Sequence, residues 1–313
     1  MYISYIIYFL YFSYYILKIN ILRLIIVFGE NDIVRGRSMR IVAFSNQKGG
    51  VAKTTSSYAM AVGLAKRDFK VLVIDADPQE NLSMTAGIDL NEIDPDPEDI
   101  EKLTAEQQEY FYKNVPAKLF EVMKGEKDIN KAIIPIAENL DLIVGGIDLA
   151  SADMTFGALG RERLIKEAFS KLKNQYDYCI FDCSPALGVV LMNILTVADE
   201  VIIPLEPGAY SLQGLSRLYK FIDQIHDFTN DKLKVDGILV TKVRNTANSK
   251  IWINDIEEKA ELLGTKVYKS KIRLNVSVEE AQTMKMDIFE YAGGSAAARD
   301  YDDFIDEFLE EDE

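Results

Sequence analysis

Residues 45–57 read SNQKGGVAKTTSS, and this run constrains the fold more than any other part of the chain. An apolar segment, IVAFS (41–45), leads into it, and a small-residue helical pattern leads out. A strand, a glycine-bearing loop and a helix in that order make a phosphate-binding context. The usual pattern, G-x-x-x-x-G-K-[ST], is only partly met. Lys53 and Thr54 supply its end, but Ala52 stands at the second glycine position and Gln47 at the first. An extra Lys48 stands ahead of the Gly49-Gly50 pair. The two glycines let the backbone approach closely and aim N–H groups at phosphate oxygens. Val51, Ala52 and Thr55 complete the turn into the helix, whose N-terminus adds partial positive charge. Ala52 reads as helix-compatible, adding only a methyl group. Lys53 is suited to the β- and γ-phosphates of a nucleotide, and the Thr54 hydroxyl to Mg²⁺.

Short apolar runs recur along the chain: VLVID (71–75), LDLIV (140–144), YCIFD (178–182), EVIIP (200–204), GILVT (237–241) and TKVYK (265–269). Nearly all apolar, they read as strands buried on both faces of a parallel sheet. Helical patterns lie between them, at Thr54–Arg67, Arg161–Asn174, Ser211–Asp227 and Lys250–Leu263. This alternation predicts an α/β fold, a doubly wound and mostly parallel sheet flanked by helices. Ligands bind such sheets beyond the carboxyl ends of the strands. Residues 88–117 are polar and acidic without a strand, and read as a surface insertion with one helix. The acidic tail YDDFIDEFLEEDE reads as a helix end with a solvated face.

Acidic strand ends support the loop. Asp75 and Asp77 close VLVID and its extension, and Asp182 closes YCIFD. A carboxylate at such a position can hold Mg²⁺, directly or through water. One such Asp is usually a turn starter; three strands ending at one site argue for more.

Composition excludes several alternatives. The formal charge of −15 argues against a protein that coats nucleic acid generally. The two cysteines, Cys179 and Cys183, sit on one strand, where they cannot staple a fold and fit a reducing cytoplasm. A metal site wants more ligands than these. His226 is the single histidine and lies in a helical run, so histidine-based catalysis has little basis.

The first 38 residues differ from the rest. Residues 2–17 carry no charge, somewhat short for a membrane span, and Lys18 and Arg23 then interrupt. Neither a basic n-region nor a small-residue cleavage site marks a signal peptide. Tyr, Ile, Phe, Leu, Lys and Asn dominate, the residues that A/T-only codons encode, and Arg35-Gly36-Arg37 can be written almost wholly in purines just before Met39. Residues 1–38 are therefore read as translated upstream sequence and Met39 as the start, with a hydrophobic N-terminal anchor as the alternative. Residues 39–313 form the P-loop domain in this reading.

KGGVAKTT after Asn46-Gln47, then DADPQEN, then FDCSPALG, then VIIPLEPGAYSLQGLSRL resembles the ParA/Soj partition ATPases in order and spacing. The resemblance runs from Met39 to about Phe308, broken mainly at 88–117. It implies a deviant Walker A loop, ATP with Mg²⁺, and an ATP-sandwiched homodimer in which Lys48 reaches the partner's nucleotide. It further implies that Asp77 positions the attacking water and that Asp182 is the Walker-B carboxylate. A ParB-like centromere-binding partner, segregation of plasmid or chromosomal DNA, and a cytoplasmic, nucleoid-associated location follow from the same likeness. The MinD-like alternative, a membrane-associated positioning ATPase, docks through a basic C-terminal helix that EFLEEDE does not provide. A metal-cluster carrier would want exposed cysteines, and a tyrosine autokinase a tyrosine cluster in place of the isolated Tyr291 and Tyr301.

Non-specific duplex DNA needs a local basic face. Two segments supply candidates: Lys242, Arg244 and Lys250 in TKVRNTANSK, and Lys266, Lys269, Lys271 and Arg273 in KVYKSKIRLN. In the resembled family these regions lie near the DNA-binding face, although Thr246 and Ser277 stand where arginines are common.

Overall fold

The computed structural model describes residues 39–93, 95, 97–157, 160–209 and 211–310. The reading of residues 1–38 lies outside them. Seven strands form one sheet: β1 (Arg40–Phe44), β2 (Val71–Ala76), β3 (Ile134–Ala137), β4 (Leu140–Ile143), β5 (Tyr178–Cys183), β6 (Glu200–Leu205) and β7 (Lys234–Val240). Their order is β3-β4-β2-β5-β1-β6-β7, and every pairing is parallel except β3 with β4. The fold is thus a doubly wound α/β sheet.

Strand alternation builds two cores. Ile41, Ala43, Leu72 and Ile74 face one side, and Val42, Phe44, Val71 and Val73 the other. On the first side the sheet packs against helices α3 (Val189–Val197) and α4 (Ser211–Phe228), through Leu191, Ile194, Leu215 and Leu218. On the second it packs against α1 (Lys53–Ala65) and α7 (Ala296–Glu310), through Met60, Leu64, Phe304 and Phe308. The acidic tail therefore carries a deeply buried face: Tyr301, Phe304, Ile305 and Phe308 are at most 1% exposed. Burial of such side chains stabilises by about 1.5–3 kcal/mol each, more than the exposed pairs of Arg67 with Asp302 and Asp306 on its outer side. No helix among the described residues is long and apolar enough to cross a membrane.

Four sequence expectations need correction. TKVYK (265–269) is not a strand of the sheet; Val267 makes one isolated bridge to Ile238, outside the edge strand β7. β3 was not expected, being a four-residue antiparallel edge strand that contains Pro135 and lies only partly buried. Residues 88–117 hold three helical segments, Leu90–Ile93, Pro97–Glu101 and α2 (Ala105–Asn114), where one was expected. A capping box between Thr104 and Gln107 starts the third. The helix expected over Arg161–Asn174 is confined to Leu164–Phe169. Both cysteines are buried and free.

Candidate functional site

Three strands bring the acids and the loop together. Asp182, next to last in β5, sits in register between Phe44 of β1 and Asp75 of β2, so the loop after β1 opens beside it. The loop is held from two further strand ends. Asn46, buried, donates from Nδ2 to the Pro204 carbonyl at 2.7 Å and accepts the Lys48 N–H at 2.9 Å. The Thr241 hydroxyl, past β7, donates to the Val51 carbonyl at 3.0 Å. Neither anchor was read from the sequence, because each depends on a strand more than a hundred residues away.

Gly50 has φ +74°, a conformation that only glycine adopts without strain. Gly49 is different: its φ is not positive, and an added Cβ would meet nothing within 4 Å. The protein itself does not require glycine there, so the missing side chain leaves a surface open to something that approaches the backbone. Ala52 corrects an expectation. It lies in the left-handed region, φ 63° and ψ 31°, as the N-cap of α1, and is not helical. A non-glycine residue there costs about 1–2 kcal/mol. Among the described residues no side chain caps the N-terminus of α1, and no acidic residue lies in its first turn, so its donors face the loop.

Lys53 folds over this loop and is 7% exposed, its Nζ donating to the Lys48 carbonyl at 3.3 Å. Burial lowers its pKa, while Asp182 and Asp77 oppose that shift. Thr54 and Thr55 follow in the first turn, both half-buried; Gln282 of α6 (Val276–Thr283) donates to the Thr55 hydroxyl at 3.0 Å. Lys48 points outward, its Nζ 3.7 Å from a Glu206 carboxylate oxygen.

The three acids play separate parts. Asp75 is fully buried but satisfied, accepting from the Ser83 hydroxyl at 2.7 Å, the Ser83 N–H at 2.9 Å and the Asp77 N–H at 3.2 Å. Asp77 is half-buried and accepts the Gln79 N–H at 2.9 Å. Asp182 is fully buried, and neither carboxylate oxygen has a hydrogen bond of ordinary geometry among the described residues. Burial, and then Asp75 beside it, push its pKa well above the carboxylate range; the Thr54 hydroxyl and Lys53 ammonium act the other way. An uncompensated buried carboxylate is costly, and a divalent cation against it and the Thr54 hydroxyl would remove that cost. No cluster of three or more His, Cys, Asp or Glu side chains among the described residues forms a metal cage. That suits Mg²⁺, which takes one or two protein ligands together with phosphate oxygens and water.

The candidate basic face is assembled, but partly occupied. The Val243 N–H donates to the Ile272 carbonyl and the Leu274 N–H to the Val243 carbonyl, placing the two predicted segments side by side. Arg273, however, clasps Asp300 of α7 through Nε and a second guanidinium nitrogen. Lys271 pairs with Glu257 at 3.5 Å and Lys266 with Asp236 at 3.5 Å. Among the described residues no ion pair holds Lys242, Arg244, Lys250 or Lys269. Thr246 instead caps α5 (Ala247–Leu262), accepting the Ser249 N–H.

Comparison with known proteins agrees with this geometry. The AAA_31 family, described as an AAA domain, matches residues 39–235. The sporulation initiation inhibitor protein Soj of Bacillus subtilis is 34% identical over 269 residues, 86% of this chain and 97% of that protein. The chromosome partitioning protein ParA of Myxococcus xanthus is 30% identical over 264 residues, 84% of this chain and 85% of that protein. Among solved structures, cobyrinic acid a,c-diamide synthase of Mycobacterium smegmatis, with a bound ATP analogue and magnesium, superposes with a TM-score of 0.66. It is 29% identical, covering 87% of this chain and 94% of that one. Family match, relatives and loop geometry agree: the chain belongs to the ParA/Soj family of ATPases.

Proposed function

We propose that the protein is an ATP-driven dimerisation switch that segregates plasmid or chromosomal DNA in the cytoplasm, on the nucleoid. The chain is an ATPase that uses ATP with Mg²⁺. Gly49–Ala52 and the N-terminus of α1 would hold the phosphates, and Lys53 would pair with the β- and γ-phosphates. Thr54 and Asp182, the latter directly or through water, would hold Mg²⁺, which when bound would neutralise phosphate charge. Asp77, half-buried at the rim, orients the attacking water. Lys48 acts on the partner protomer's nucleotide, a cation supplied in trans that offsets charge on the transferring phosphoryl group. A ParB-like partner stimulates turnover, and the dimer holds duplex DNA through Lys242, Arg244, Lys250 and Lys269. Lys271 and Arg273 join them only if they leave their present partners.

The observation that carries the nucleotide part is the buried Asp182 carboxylate, without a hydrogen bond of ordinary geometry among the described residues, beside Thr54 and Lys53. The DNA part rests on the adjacency of the two basic segments and on the relative in Myxococcus xanthus being named a chromosome partitioning protein. It is tested by equilibrium binding of the wild-type chain to duplexes of unrelated sequence, with and without ATP, across a salt series. Binding that requires ATP and weakens steeply with salt is expected. No binding at low salt in the ATP state would assign the switch to another cargo.

A further inference from the structure

The end of β6 holds Lys48 at two points. Asn46, 2% exposed, ties the Lys48 N–H to the Pro204 carbonyl, which fixes the lysine's backbone. Two residues beyond Pro204, the Glu206 carboxylate meets the lysine's ammonium at 3.7 Å. Glu206 is itself presented by a fixed backbone. Its carbonyl accepts the hydroxyl of buried Ser211 at 2.5 Å, and the Leu205 carbonyl accepts the Thr241 N–H at 2.9 Å. The two side chains are 41% and 31% exposed, so the pair is open to solvent and to salt.

We propose that Glu206 is a positioning residue that retains the Lys48 ammonium over its own loop until two protomers meet. This rests on the reading that Lys48 acts across the dimer. Lys48 then has two mutually exclusive partners, Glu206 in its own protomer and a phosphate in the other. Each protomer gives up its pair on assembly, so the penalty enters the dimer equilibrium twice. A partly exposed ion pair shifts an equilibrium by about 1.5- to 5-fold. Release on both sides therefore weakens the dimer by about 2- to 25-fold. The same pair keeps the loop from presenting a free lysine to unrelated anions.

The test uses the full chain with Glu206→Gln, a near-isosteric change at a partly exposed site. Sedimentation over a protein concentration series, with a non-hydrolysable ATP analogue and Mg²⁺, gives the dimer dissociation constant. At low salt the variant's constant should fall by about 2- to 25-fold relative to wild type. At about 1 M salt, where the screening length is ~3 Å, the two constants should converge. An unchanged or weaker dimer overturns the proposal. So does a gain of equal size at both salts, which would mark altered packing and not a lost ion pair. Lys48→Ala, run in parallel, separates this from the underlying reading. If Lys48→Ala dimerises like wild type, the role in trans is wrong. If it stays monomeric while Glu206→Gln matches wild type, only the retention is wrong.

Discussion

Asp182 and Arg273 are charged residues in opposite circumstances. Asp182, at the carboxyl end of the sheet, is fully buried and has no hydrogen bond of ordinary geometry among the described residues. Arg273, beyond the β7 edge, has a side chain 55% exposed yet is gripped through two nitrogens by Asp300. Exposure alone would rank them the other way as ligand-binding groups. The unsatisfied buried carboxylate is the one whose energetics demand a ligand. The exposed guanidinium already does structural work, tying the segment after Tyr268 to α7. Binding candidates are therefore better ranked by unmet interactions than by accessibility.

The most severe break at the sheet end is Lys53→Ala. It removes the counter-charge over the loop, and nucleotide affinity should fall by about 10- to 150-fold, the loss of a charge-assisted bond in a buried setting. Equilibrium titration with a fluorescent ATP analogue reads this directly. Asp77→Ala should leave that affinity intact while stopping turnover and trapping an ATP-bound dimer. Turnover at the wild-type rate would exclude the water-orienting role.

The basic face is sharpened by two charge reversals with different outcomes. Arg273→Glu sets a carboxylate against the nearly buried Asp300, so it should lower the stability of the fold. Thermal melting should show it whether or not DNA is present. Arg244→Glu, at an exposed position without an ion pair among the described residues, should change stability by less than about 0.5 kcal/mol but weaken ATP-dependent duplex binding. If Arg273→Glu melts like wild type, its clasp on Asp300 is not a structural tie.

A modest effect is expected at Ala52. Glycine relieves the left-handed strain but adds backbone entropy to the unfolded chain, so Ala52→Gly should stabilise by about 1 kcal/mol. A loss of stability on denaturant unfolding would mean that the methyl group is used for packing.

The buried parallel strands were legible because burial on both faces leaves an apolar run that no solvent-facing residue interrupts. The loop and strand-end acids were legible because motif spacing places them at the carboxyl ends of neighbouring strands. β3 was not, since Pro135 and partial burial give it no strand-like pattern. TKVYK was misread because its β-rich composition matches a strand, whereas the edge of β7 accepts it at one bridge only. The conformation of Ala52 has no sequence signal, as alanine has no preference for that region. Pairings such as Arg273 with Asp300, or Asn46 with Pro204, depend on which elements pack together, and local sequence is silent on that.

The most direct test is thermal unfolding of Asp182→Asn against wild type, each without nucleotide and with a non-hydrolysable ATP analogue and Mg²⁺. Burial raises the Asp182 pKa, so the folded carboxyl keeps its proton above the unfolded value near 3.9. Its cost to the nucleotide-free fold therefore grows as pH rises from that value toward the folded pKa. Without nucleotide, Asp182→Asn should melt a few °C higher, about 2–4 °C for each kcal/mol relieved, and the gap should widen as pH rises through that range. With Mg²⁺ and the analogue the order should reverse, because the wild-type carboxylate then has its cation. A variant that melts below wild type in both states, or with an unchanged gap when Mg²⁺ and analogue are added, would contradict Asp182 as the metal-side carboxylate.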